Sequence, residues 1–163
     1  MEKISKKVDI VGGKLTFYHR IELGKIIASG CDPAQALREV MRCLHGVEVD
    51  PKKESDLRGY VAYFEEIVRG ISFWVEQEKR LRYDPTPEEL QAGIRQMYRN
   101  IGEFGTLTAI AQAYAKDPDE VLQWEYGKVF GLLMTDFEKA KFQQRLQSIH
   151  DRKNRVGKWR RKR

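Results

Sequence analysis

The residue types best suited to chemistry in this 163-residue chain are its three histidines and two cysteines, so their spacing is the first thing to weigh. His19, His45 and His150 stand far apart, each without a neighbouring acidic or cysteine pattern. Cys31, Cys43 and His45 lack the close C-x2-4-C pairing of usual zinc sites, and the two cysteines read as reduced structural thiols rather than a disulfide framework. There is no G-x-S-x-G, no H-E-x-x-H and no phosphate loop, since Gly12-Gly13 lacks the following helix, lysine and serine or threonine. The acidic pairs Glu65-Glu66 and Glu88-Glu89 are adjacent residues that diverge on a helix surface, as solvated faces or helix-start charges do. Folding can still assemble a dispersed site, but nothing here argues for an enzyme, a metal or a cofactor. The expectation is a binding protein.

A second candidate lies at the C-terminus. Residues 151–163, DRKNRVGKWRRKR, hold Arg152, Lys153, Arg155, Lys158, Arg160, Arg161, Lys162 and Arg163 around one aromatic, Trp159. Basic groups neutralise phosphates and an indole stacks on a base, so the segment reads as nonspecific nucleic-acid contact, docking on an acidic protein surface, or a solubilising tail. The net charge of +6 belongs to this segment, because its eight basic residues against one acidic leave residues 1–150 at −1.

The elements that would position these residues are mostly helical. Val8–Val11 and Lys14–Phe17, two β-prone runs around Gly12-Gly13, suggest a short hairpin. After it, Asp32-Pro33, Thr86-Pro87 and Asp117-Pro118 each place a capping side chain before a first-turn proline. With Thr135-Asp136 as a fourth start, they predict helices near 33–45, 87–101, 118–134 and 136–152, and two more fit at 18–28 and 107–115, the latter capped by Thr106. The longest runs from about Asp56 to Arg82, with Leu57, Tyr60, Val61, Phe64, Ile67, Val68, Ile71, Trp74, Val75 and Leu81 at three- and four-residue spacing. The two prolines of Tyr83–Pro87 then divide an N-terminal lobe, 1–83, from a C-terminal lobe, 84–150, ahead of the basic tail, 151–163. The fold class is mainly α: a helical bundle of about six to seven helices. No apolar run approaches a membrane span and MEKISKKVDI is no signal peptide, so the chain is expected to stay where it is made.

Gly127 and Gly131 form a G-x-x-x-G pair within a helical pattern, which predicts close approach of another helix, or else a subunit contact in a homo-oligomer. Residues 106–133 resemble a helix-turn-helix, but the second helix opens on Asp117, Asp119 and Glu120, which would repel phosphates.

Residues 15–27, Leu-Thr-Phe-Tyr-His-Arg-Ile-Glu-Leu-Gly-Lys-Ile-Ile, and the capped helix ending at Cys43-Leu44-His45-Gly46 resemble small tail assembly chaperone-like proteins of phages and prophages. The blocks Phe104–Leu107 and Trp124–Phe130 look similar to the second helical part of such proteins. The resemblance implies a cytoplasmic, cofactor-free chaperone in a bacterial host cell. Its client is the tape-measure protein or another tail component, held by helix-in-groove contacts. The client surfaces it implies are Tyr60, Phe64 and Trp74, and Trp124, Tyr126 and Phe130. The basic tail departs from that pattern and keeps a nucleic-acid-binding regulator as the alternative.

Overall fold

The computed structural model describes residue 4, residues 6–51 and residues 57–160, with the backbone alone for 154–160. Among the described residues there are seven helices: α1 (Phe17–Ala28), α2 (Pro33–His45), α3 (Leu57–Glu78), α4 (Pro87–Gln91), α5 (Ile94–Ala113), α6 (Pro118–Leu122) and α7 (Tyr126–Arg160), with a 3₁₀ turn at Lys79–Leu81. None is long and apolar enough to cross a membrane. The mainly-α expectation holds.

The caps behave as their chemistry requires. Asp32 accepts from the amides of Ala34 and Gln35, and Asp117 from that of Asp119. Thr86 and Glu89 close a reciprocal capping box at the start of α4.

The chain groups into two compact units, Met1–Val129 and Phe130–Arg163. The first is a helical bundle in which α1 packs on α2, α3 and α6, α2 on α3, and α5 on α4 and α6. Its core includes Leu15, Leu23, Val40, Met41, Tyr60, Tyr63, Ile67, Val121 and Val129. The Phe130–Arg160 portion of α7 is one helix laced by local pairs such as Lys139–Asp136 and Lys141–Glu138.

The expected hairpin does not form. The chain reverses at Gly12-Gly13, with Asp9 Oδ1 accepting from Gly12 N and Asp9 O from Lys14 N, but the two arms build no ladder. The second arm turns instead to the other end of the sequence. Tyr126 N donates to Leu15 O at 2.7 Å, Gly127 N to Gly13 O at 3.1 Å, and Phe17 N to Trp124 O at 2.9 Å, around an isolated bridge between Thr16 and Glu125.

These long-range bonds also split the helix expected over 118–134. They draw Trp124 and Glu125 out of helical geometry, so α6 ends at Leu122 and α7 starts at Tyr126 with its first amides satisfied by the N-terminal loop. What approaches Gly127 is the Gly12-Gly13 turn, and the glycine this contact demands is Gly13: a Cβ on Gly13 would stand 2.6 Å from Gly127 Cα, whereas one on Gly127 would meet the turn at an ordinary 3.4 Å and one on Gly131 would meet nothing among the described residues. The break expected at Thr135 is absent, because its hydroxyl donates to Gly131 O one turn back and the helix continues. The break expected at Thr106 falls instead at Gly102 (φ 54°), where two helical stretches of α5 meet at a kink.

At the centre of the first unit lies a charged pair. Arg20, 7% exposed, donates through Nε and Nη2 to Glu78 at 2.8 and 2.6 Å, and the Tyr126 hydroxyl donates to the same carboxylate. The Tyr126 ring stacks on Phe17 and meets Trp74 edge-on, while Trp74 Nε1 donates to Ile10 O at 2.7 Å. Removing one partner of such a buried set strands the others, so Arg20→Ala should cost roughly 3 kcal/mol in urea unfolding. Tyr60 is the contrast, since its buried hydroxyl meets no protein partner among the described residues. Tyr60→Phe should leave the same midpoint unchanged or raise it.

Candidate functional site

Folding does gather the chemistry-bearing residues that the sequence scatters. α1 carries His19, the end of α2 carries Cys43 and His45, and α3 carries Tyr63. His45 Nε2 lies 3.1 Å from Tyr63 Oη, which also accepts from Val8 N at 2.9 Å. His19 Nδ1 lies 3.0 Å from Thr16 Oγ1, the capping hydroxyl of α1, and its ring bonds the Cys43 backbone. Lys7 sits over the Tyr63 ring, 5.1 Å from its centroid, and pairs with Glu66.

The electrostatics favour the neutral forms of His19, His45, Cys43 and Tyr63. Desolvation lowers the pKa of His19 and, helped by repulsion from His19, that of His45. Desolvation raises the Cys43 thiol, with Glu22 adding to it, and raises Tyr63. The shift on Cys43 is opposite to that of an activated thiol, and the contacts of His45 and Tyr63 join α2, α3 and the N-terminal segment. Cys31 and Cys43 form no disulfide. Among the described residues no three His, Cys, Asp or Glu side chains group as a metal site would need.

The residues expected to meet a client divide by burial. Tyr60, Trp74 and Tyr126 belong to the core, at 1%, 7% and 3% exposure, so they offer no surface. Phe64, Trp124 and Phe130 are half-buried, with Lys128 Nζ 3.7 Å over the Trp124 ring. The helical stripe on α3 is rotated relative to expectation: Tyr63 and Gly70 face inward, Gly70 making room for Ile10, while Val61 and Val75 are exposed.

The exposed apolar residues lie elsewhere. Leu90 on α4 and Met97, Ile101 and Phe104 on α5 are 41%, 45%, 40% and 65% exposed. Met97 and Ile101, four apart, share a face of α5. In the second unit Phe142, Leu146 and Ile149 are exposed at helical spacing. The signal for both was present as apolar periodicity, but sequence cannot distinguish a face that is covered from one that is not.

Of the expected nucleic-acid contacts, Arg152 and Lys153 are exposed on α7. Arg155, Lys158, Trp159 and Arg160 fall where the backbone alone is described and stays helical; Arg161, Lys162 and Arg163 lie outside the described residues. The one-turn α6 does not provide the second helix of a helix-turn-helix.

No protein-family model, curated protein or solved structure matches this chain.

The histidine pair makes stability depend on pH in a definite direction. Both folded-state pKa values lie below the ordinary 6.5, so the unfolded chain binds more protons and stability present above that pH is lost as pH falls through the folded values. Thermal midpoints measured from about pH 8 down to about pH 5 should decline below neutrality, and the double variant His19→Gln/His45→Gln should flatten the decline.

Proposed function

We propose that this protein is a non-enzymatic assembly chaperone of the phage or prophage tail kind, which holds a helical segment of a tape-measure protein while the tail assembles. The observation that carries the reading is the set of exposed large apolar side chains on α4 and α5: Leu90, Met97, Ile101 and Phe104. Clusters of exposed apolar groups mark interaction surfaces, and Met97 and Ile101, one turn apart on α5 ahead of its kink at Gly102, offer a helical face to an amphipathic helical client. The body that carries them is nearly neutral, at −1 over residues 1–150, so it has no large net charge to favour a polyanion over a protein. The client surface in this reading is α4–α5, not Tyr60, Trp74 and Tyr126, which lie in the core.

Co-expression with a tape-measure protein from the same genome tests it. The wild-type chain should keep the client soluble and co-purify with it. The triple variant Met97→Asp/Ile101→Asp/Phe104→Asp should lose at least tenfold in recovered client while its circular dichroism stays unchanged, because these side chains are already exposed. An insoluble client with the wild-type chain, or equal recovery with the variant, would sink the proposal.

A second reading, nonspecific nucleic-acid contact by the basic C-terminus, is favoured by one observation: α7 stays helical through Arg160, so its basic residues are carried on a helix. Affinity for a labelled duplex should then fall steeply between roughly 50 and 200 mM salt, and replacing Arg152 and Lys153 by Gln should make the slope shallower by about two units. A slope unchanged by that substitution removes these two residues from the contact.

A further inference from the structure

The segment after the 3₁₀ turn and the first turns of α5 enclose a cleft of about 660 Å³ in the Met1–Val129 unit. Three arginines line it: Arg82 from the segment, Arg95 and Arg99 from α5. Arg95, Tyr98 and Arg99 stand at i, i+3 and i+4, so one helix face presents an aromatic ring beside two guanidinium groups. Tyr83 supplies a second ring from the other wall.

Two features set this cluster apart from an ordinary solvated face. No side-chain hydrogen bond or ion pair joins Arg82, Arg95 or Arg99 to another described residue, although ten described ion pairs serve other charges and Asp84 lines the same cleft. The Tyr83 ring, by contrast, is fixed. Its hydroxyl donates to the Glu89 carboxylate at 2.9 and 2.7 Å, and Glu89 is itself locked by the Thr86 capping box. That arrangement commits the Glu89 carboxylate to Tyr83 and Thr86.

From this geometry we infer that the cleft is a binding site for a nucleotide unit, with the base stacked on Tyr98 or Tyr83 and the phosphate held by Arg95, Arg99 and Arg82. Guanidinium groups match phosphate oxygens in a bidentate fork, and a tyrosine face accepts any base. An acidic peptide would use the arginines but has no need of two rings. The cleft volume is that of a small-ligand site. The same chemistry is offered by a free mononucleotide and by a single-stranded nucleic acid, and the test separates them. The inference is independent of the client-binding reading, which rests on Met97, Ile101 and Phe104.

The full-length protein is mixed with a 5-bromodeoxyuridine-containing oligodeoxythymidylate of about twelve nucleotides and irradiated, and cross-linked peptides are mapped. Cross-links at Tyr98 or Tyr83 are expected, and mapping keeps the signal distinct from any contact by residues 151–163. Arg95→Gln/Arg99→Gln should reduce cross-linking at these tyrosines about tenfold, and Tyr98→Leu should weaken oligonucleotide binding by a similar factor with the charge intact. All three side chains are exposed and make no described polar contact, so the variants keep the fold. Thymidine monophosphate that suppresses the Tyr98 or Tyr83 cross-link identifies a mononucleotide as a sufficient ligand; suppression by unlabelled oligonucleotide alone identifies the strand. Cross-links confined to residues 151–163, equal cross-linking of the double variant, or equal competition by hexaglutamate would each overturn the inference.

Discussion

The Met1–Val129 unit is organised around a carboxylate that must not be left alone. Glu78 stands at the end of α3, and two groups far from it in sequence converge on it: the guanidinium of Arg20 and the hydroxyl of Tyr126. A charge largely withdrawn from water is tolerated only when partners replace its hydration. Satisfying Glu78 therefore fixes the position of α1 and of the first turn of α7 against α3. Burial and the bond to Glu78 both hold the Tyr126 phenol far above its ordinary pKa, so it remains a donor. The aromatic rings Phe17, Trp74 and Tyr126 then pack around the pair and shield it.

The backbone follows the same constraint. Bringing Tyr126 to Glu78 places residues 124–127 beside residues 13–17, close enough for three backbone hydrogen bonds and for two glycines to touch. The N-terminal loop thus serves as the cap of α7, in place of a capping side chain. Tyr60, Trp74 and Tyr126 are buried, while α4 and α5 keep large side chains exposed. They differ in chemistry along a short stretch, with Met97, Ile101 and Phe104 apolar and Arg95, Tyr98 and Arg99 polar and aromatic.

How far the sequence could be read depended on the range of the physics involved. Helices α1, α2 and α3 and the starts of α4 and α6 were legible because caps, first-turn prolines and apolar spacing act within a few residues. The hairpin, the single helix over 118–134 and the second start at Thr135 were misread. The first two were decided by long-range bonds, Tyr126 to Leu15 and Phe17 to Trp124, and the third by a local choice, the Thr135 hydroxyl donating back to Gly131 rather than accepting from an amide ahead of it. The stripe on α3 was legible as a stripe, but which of its edges faces inward depended on Ile10 packing against Gly70.

For the sites the division is sharper. Sequence by itself determined the helical class, the near-neutral body with a basic C-terminus, and which residues are apolar or charged. Those follow from composition and short-range periodicity. Only the tertiary structure decided that His19, His45 and Tyr63 meet, that Tyr60, Trp74 and Tyr126 are core, and that Arg82, Arg95 and Arg99 share a cleft without an acidic partner. Burial and charge pairing are properties of neighbours in space, and a chain states its neighbours in space only once its long-range contacts have formed.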